Sequence, residues 1–426
     1  MSTAELQSAV QSLFARTAHG VKPGLEVTAA VLEKLGNPHQ NLKCIHVAGT
    51  NGKGSVCAMI ESVLRASGFK TGLYTSPHLF RFNERFRING REIPDPVLEP
   101  LIADVEKAAQ SLSTRHATFF EISTAMAFEY FKREKVDYAV IETGMGGRWD
   151  ATNVIQPRLS VITRIDFDHA EYLGADIEKI AGEKAGIIKP GVPVICGPMP
   201  VEAEAVVYKE ALEKKSPILG SDDAVFFQCL ERRRDDQLIN IEVSGHEYPN
   251  IRLPLAGSFQ LENCGIAVAA LEDLAEAENI RLQMKRGLEA VKWPGRFQLL
   301  QAKPPVLYDG AHNVCGARAL FQTLGETFPG VGSGFLFSFM KDKDVEGILK
   351  TLAPSVEKAW ALTLPGDRAM KAEEIAEIGK RIGLEITPVG TPQPAIEWLD
   401  AGKKRLVCFT GSLYLPGELK KHGFFK

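Results

Sequence analysis

The stretch KCIHVAGTNGKGSVCAMIESVLRASG, residues 43–68, decides the fold. Its apolar opening reads as a buried strand, its glycines as a tight loop, and its remainder as an amphipathic helix. That order is the start of an α/β unit. Within the loop Gly49-Thr50-Asn51-Gly52-Lys53-Gly54-Ser55, glycines let backbone N–H groups approach phosphate oxygens. The helix start adds partial positive charge, and Lys53 supplies a full one. The spacing departs from G-x-x-x-x-G-K-[ST], because two residues separate Gly49 from Gly52 and a glycine lies between Lys53 and Ser55. A plain glycine-rich turn is the competing reading. The strand before and the helix after favour phosphate binding.

Outward from this unit the alternation repeats. VDYAVIETG (136–144), RLSVITRID (158–166) and VPVICG (192–197) are short β-branched runs separated by helix-like stretches such as ISTAMAFEYFKRE. A mostly parallel, helix-covered sheet is expected. Between 221 and 255 the texture changes to alternating FFQCLERR and QLINIEVSGHEY, an antiparallel excursion. VKWPGRF (291–297) supplies a Pro-Gly break, after which PPVLYDGAHN, SGFLFSFM and LVCFTGS begin new α/β units. The expected plan is therefore a P-loop ATPase-like domain over 1–296 and a smaller Rossmann-like α/β domain over 297–426.

Polar residues gather where the predicted strands end, the edge at which ligands bind in open α/β sheets. Glu142 ends the run Tyr138-Ala139-Val140-Ile141 and suits the acidic Mg²⁺ ligand that a bound nucleotide requires; a solvated strand-end carboxylate is the alternative. The strand Leu159 to Ile165 leads to Asp166, Asp168 and His169. The strand Val306 to Tyr308 leads to Asp309, Gly310, Ala311, His312 and Asn313, where Asp309 either binds a ribose hydroxyl or shapes the turn.

Composition narrows the function classes. The 426 residues are 45% hydrophobic and 24% charged, which exceeds the usual size of one core and predicts two domains. A net charge of −3 and a pI near 6.4 offer no global basic surface for nucleic acid or anionic lipid, so small-molecule partners are expected. Seven dispersed cysteines, with no C-x-x-C spacing, read as reduced thiols. The N-terminal stretch lacks an unbroken apolar region, and no run reaches the roughly 18 apolar residues of a membrane span. A cytoplasmic monomer is expected.

Taken together, G-T-N-G-K-G-S (49–55), T-S-P-H-L (75–79), E-T-G-M-G-G-R-W-D-A-T-N (142–153), D-H (168–169), E-K-A-G-I-I-K (183–189), G-R-F (295–297) and D-G-A-H-N (309–313) resemble the folylpolyglutamate synthase/dihydrofolate synthase branch of the Mur ligase family. The matches keep the family's order over about residues 20–415. The resemblance implies ligation of L-glutamate to a reduced folate or dihydropteroate at the expense of ATP, through an acyl phosphate. It implies that Gly49 to Ser55, with Asn263, Arg296, Asp309 and His312, hold ATP. Ser76, Glu142 and His169 would hold Mg²⁺, with a second ion served by Lys184 as a carbamate. Lys53, Lys184 and His169 would be the catalytic set. Val21, Lys22, Pro23, Thr118, Phe119, Phe120, Glu121 and Trp149 would face the pterin and its aromatic tail. Two positions depart from the pattern: Phe259 stands where relatives often carry histidine, and Lys22 where some carry an acid.

Overall fold

The structure is a computed structural model that describes residues 3–16, 24–112, 116–167, 176–399 and 405–425. Among these residues the strands form three sheets, with eight, three and six strands. The first contains β1 (Cys44–Ala48), β2 (Thr71–Tyr74), β3 (Phe86–Ile88), β4 (Arg91–Glu92), β5 (Tyr138–Glu142), β6 (Leu159–Ile162), β7 (Val194–Cys196) and β8 (Ile218–Gly220). Its order is β4-β3-β2-β5-β1-β6-β7-β8, parallel from β2 to β8, with β3 and β4 added as an antiparallel ribbon at one edge.

Strands buried on both faces need apolar residues at every position, and β1 and β5 are buried along their whole length. Val140 packs on one side with Val56, Ile60 and Leu271, while its neighbours Ala139 and Ile141 pack on the other with Phe128 and Ile102. Each fully buried aliphatic of this kind contributes roughly 1.5–3 kcal/mol. Packing of this sort holds the 49–55 loop at the carboxyl end of a rigid strand.

The alternating stretch after residue 221 forms the antiparallel sheet of β9 (Val225–Arg232), β10 (Gln237–Val243) and β11 (His246–Leu253). Helix Ser258–Glu278 joins it to the first sheet through the shared core of Ile239, Val268 and Ile195.

From Gln298 onward the strands build the third sheet: β12 (Gln298–Ala302), β13 (Pro305–Asp309), β14 (Gly332–Phe337), β15 (Val356–Leu362), β16 (Thr387–Val389) and β17 (Arg405–Thr410). The order is β12-β13-β17-β14-β15-β16, parallel apart from β12. Leu307 faces one core with Phe335 and Leu320, whereas Val306 and Tyr308 face another with Leu336 and Phe409. The molecule thus has an N-terminal α/β domain with a mainly parallel sheet and a second α/β domain on the C-terminal side. No helix among the described residues is long and apolar enough to cross a membrane. All seven cysteines are free thiols.

One strand differs from expectation. β6 stops at Ile162 rather than Ile165, because the following residues leave the sheet to hold the loop at 49–55. Thr163 Oγ1 donates to the Asn51 carbonyl at 2.7 Å, and the Thr50 amide donates to the Arg164 carbonyl at 2.8 Å.

Candidate active site

Three glycines of the 49–55 loop are required by their surroundings. Gly49 (φ +150°) and Gly52 (φ +89°) occupy the left-handed side of backbone space. A Cβ on Gly52 would sit 2.2 Å from Asn263 Oδ1, and one on Gly54 would sit 2.5 Å from the Trp293 ring. The loop runs directly into helix Lys53–Ala66, whose first turn carries no side-chain cap. Helix starts at Phe119, Ile177 and Val314, by contrast, are capped by Thr118, Asp176 and Asn313. Uncapped N–H groups at a strand-to-helix turn form an anion site.

Two ammonium groups meet at one carbonyl of this loop. Lys53 Nζ donates to Gly49 O at 3.0 Å and to Thr50 O at 3.2 Å, and Lys184 Nζ donates to the same Gly49 O at 3.0 Å. Lys184 is buried near the end of helix Ile177–Ala185. That helix is pinned by the segment 144–150: the Arg148 amide donates to Glu183 O at 2.7 Å, and its guanidinium to Gly182 O and Glu210. The segment is itself fixed by Asp150, which accepts from the Gly144 and Met145 amides and from Thr152. Thr152 Oγ1 lies 2.8 Å from Nε2 of His46, a buried imidazole whose pKa burial lowers to about 3. A chain of contacts therefore runs from the floor of the sheet to Lys184.

Glu142 is buried at the end of β5 and accepts the Ser76 amide at 2.9 Å. Burial raises its pKa, and Lys53, the Ser76 amide, Arg296 and Arg85 oppose the rise. Asp309 at the end of β13 is buried as well, and burial raises its pKa against Arg296 and two backbone donors. Those donors use both of its oxygens: Oδ2 accepts from the Phe297 amide at 2.7 Å and Oδ1 from the Ala311 amide at 2.8 Å. Its turn-shaping role is thereby explicit.

The two domains meet through these loops. Asn51 and Asn313 exchange amide hydrogen bonds at 3.2 and 3.1 Å, and Asn313 Oδ1 also accepts the Gly316 amide at the start of helix Val314–Thr327. Between them lies a cavity of about 300 Å³. Thr50, Asn51, Gly52, Lys53, Gly54, Ser55, Ser76, Glu142, Asn263, Arg296, Asp309 and His312 all line it.

The other expected site residues lie elsewhere. Gly49 and Lys184 do not line the cavity, and Lys184 is held by the Gly49 carbonyl. Thr118 and Glu121 cap each other's backbone at the start of helix Phe119–Arg133, and Phe119 is buried against Phe14 and Phe82. Phe120 packs on Gly144, and Trp149 is half exposed. Val21, Lys22, Pro23 and His169 lie outside the described residues. Sequence reasoning passed over Arg164, Glu262, Cys315 and Arg318, which line the cavity, and Arg85, whose charge reaches Glu142. Helix periodicity alone carries no sign that Cys315 and Arg318 face a cleft.

Comparison with known proteins accords with this arrangement. Residues 47–271 match the Mur ligase middle domain and residues 295–413 the Mur ligase glutamate ligase domain. The dihydrofolate synthase/folylpolyglutamate synthase of Bacillus subtilis is 35% identical over 427 residues, covering 97% of this chain and 98% of that protein. The chain belongs to the folylpolyglutamate synthase/dihydrofolate synthase branch of the Mur ligase family. Solved members of that branch superpose closely. The folylpolyglutamate synthase of Mycobacterium tuberculosis complexed with ADP gives a TM-score of 0.91 at 33% identity, covering 99% of both chains. A folylpolyglutamate synthase in complex with AMPPCP and folate gives 0.85 at 32% identity, covering 98% of this chain and 99% of that one.

Proposed function

We propose that the chain is an ATP-dependent ligase that joins L-glutamate to a folate carboxylate, with dihydropteroate as a further acceptor. The observation that carries the reading is the single cavity in which an uncapped phosphate loop, a buried strand-end carboxylate and the Asp309–Asn313 turn of the other domain face one another. Ligation needs such a joint, because an acyl phosphate formed between two domains is screened from water.

The acceptor carboxylate attacks the γ-phosphorus of ATP, the bond to the β-phosphate oxygen breaks, and ADP leaves with the electron pair. The amine of glutamate then adds to the acyl carbon, and phosphate departs as the amine loses its proton. Carboxylate and triphosphate repel, so Lys53, Arg296 and the loop N–H groups supply the positive field that lets them meet. No side-chain nucleophile takes part.

The residues present fit Mg²⁺. Among the described residues no three His, Cys, Asp or Glu side chains cluster as a closed metal cage. One buried carboxylate with Ser55 and Ser76 hydroxyls nearby suits an ion that keeps water and phosphate oxygens as ligands. When bound, Mg²⁺ neutralises phosphate charge. Glu142, Ser76 and His169 are the residues assigned to it, with Lys184 serving a second ion beside His169. Lys184 is assigned as a carbamate: CO₂ adds to its neutral amine with loss of a proton. The carbamate keeps an N–H for Gly49 O while its oxygens carry the negative charge a metal needs. ATP contacts beyond the loop are assigned to Asn263, Arg296, Asp309 and His312, and the pterin to Thr118–Glu121, Trp149 and Val21–Pro23. The enzyme is assigned to the cytoplasm as a monomer acting on small molecules.

The test is a coupled assay with ATP, labelled glutamate and either dihydropteroate or tetrahydrofolate. One ADP per glutamate incorporated is expected. Rapid ATP hydrolysis independent of both co-substrates would replace the ligase with a P-loop ATPase.

A further inference from the structure

Arg85 ends the short turn Phe82–Arg85 and is only 5% exposed. Its guanidinium lies 5.0 Å from the Phe119 ring centre and 5.9 Å from that of Phe82, and Nε donates to His78 Nδ1 at 2.9 Å. His78 brings no negative charge, since an imidazole that accepts this bond is neutral. The groups whose charge reaches Arg85 are Tyr74, Tyr414 and Glu142. Phenols are uncharged at neutral pH. Glu142 is no ion-pair partner: its carboxylate is held by the Ser76 amide and also feels Lys53 and Arg296.

The chain's exposed arginines make the contrast plain. Arg81 pairs with Asp95 at 2.6 Å, Arg133 with Glu129 and Asp104 at 2.7 and 2.8 Å, and Arg252 with Asp236 and Glu231 at 2.6 and 2.9 Å. Arg85 is more deeply buried than any of these, and among the described residues no carboxylate stands within ion-pair distance of it. An uncompensated buried charge is costly, so a bound anion would relieve that cost at Arg85.

We propose that Arg85 receives the carboxylate of the acceptor and thereby distinguishes the acid from its neutral analogues. The assignment rests on the ligase reading above and deepens it. Backbone contacts tie Arg85 to the phosphate side: the Thr75 amide donates to the Arg85 carbonyl at 3.2 Å, and the next amide, Ser76, donates to Glu142 at 2.9 Å. Glu142 lines the cavity together with Lys53 on the phosphate loop and Arg296 on the C-terminal side. Arg85 itself adjoins aromatic rings. A guanidinium between phenyl rings and a phosphate site matches a substrate that is aromatic at one end and anionic at the other. Arg85 binds one carboxylate oxygen and leaves the other to attack the γ-phosphorus, so the positive charge positions the nucleophile without quenching it.

The experiment measures binding of dihydropteroate and of its neutral primary amide to the full-length protein and to Arg85→Gln and Arg85→Lys, with ADP binding as the control for folding. Wild type should prefer the acid by roughly 10- to 100-fold, the range of a charge-assisted hydrogen bond. In Arg85→Gln that preference should fall to within about twofold while ADP binding is kept, and Arg85→Lys should be intermediate. If acid and amide weaken together and the preference survives in Arg85→Gln, the residue is structural and the assignment is overturned. Should Arg85→Gln fail to fold, Arg85→Lys and wild type decide: equal binding of acid and amide by wild type, or an undiminished preference in Arg85→Lys, overturns it. A wild type that ligates neither dihydropteroate nor tetrahydrofolate would instead bring down the ligase reading itself.

Discussion

The two loops that face each other across the cavity, 49–55 at the end of β1 and 309–313 at the end of β13, sit at equivalent places on two parallel sheets yet are built on opposite plans. In the first, helix N–H groups are left without a side-chain cap, glycines clear space, and lysine ammoniums bond to backbone carbonyls. In the second, Asp309 holds two backbone amides and Asn313 caps the helix that follows. The first loop leaves its helix-start N–H groups without a side-chain acceptor, whereas the second supplies side-chain oxygens to its own amides. A rigid second surface closing on a receptive first one is how a reaction is shielded without the chemistry being shared equally.

Lys53 carries the largest expected effect. Lys53→Ala should stay folded and lose at least about a thousandfold in kcat, since the fixed charge beside the phosphates acts in a partly dehydrated site. Near-normal turnover at saturating ATP would show that the receptive loop does not depend on it.

Lys184 comes next. Lys184→Ala should lose roughly a hundredfold or more in kcat, in line with loss of a group that supports a catalytic metal. Acetate or formate should restore part of the activity by replacing the carbamate oxygens. A fully active variant would remove Lys184 from the mechanism, and a folded, inactive variant that no acid rescues would remove the carbamate.

On the opposite side the expected effects are smaller and of another kind. Asn313→Ala should cost about 1 kcal/mol of stability through the lost cap and raise KM for ATP roughly five- to tenfold, with kcat within about threefold. Steady-state kinetics separate the two parameters. A large fall in kcat with KM unmoved would place this turn in the chemical step and erase the contrast.

Much of this was legible in the sequence because local rules and the global fold agree. The run from Cys44 to Ala66 reads as strand, loop and helix and is all three, and Glu142 and Asp309 stood out by ending buried runs, whereas Arg296 is named only by the family resemblance. The end of β6 was not legible, since Thr163 and Arg164 continue a strand pattern and only the fold shows them turning to the phosphate loop. Arg85 was hidden for a different reason. It is one of three arginines in RFNERFR, and nothing in the alternation tells the buried guanidinium from Arg81, which pairs at the surface, or Arg87, which lies near the Trp293 ring. Burial of a charge is a tertiary fact.

A further expected effect, on stability alone, concerns the scaffold beneath the receptive loop. His46 has its pKa lowered by burial to about 3, against an ordinary value of 6.5, so the folded chain refuses a proton that the unfolded chain takes. The stability this preserves is complete above pH 6.5 and is lost as pH falls toward 3, at no more than roughly 1.4 kcal/mol per pH unit from this group. Denaturant unfolding of His46→Gln at pH 7 and pH 5 should show a smaller acid loss than wild type, by about 2 kcal/mol. An identical loss in both would mean that His46 does not set the acid limit of this domain.

The most direct test of the account follows oxygen. With ¹⁸O placed in the acceptor carboxylate, ligation through an acyl phosphate carries one labelled oxygen into the inorganic phosphate for each glutamate joined. Recovery of that label is the predicted result; phosphate released without ¹⁸O while the glutamyl product accumulates would contradict it.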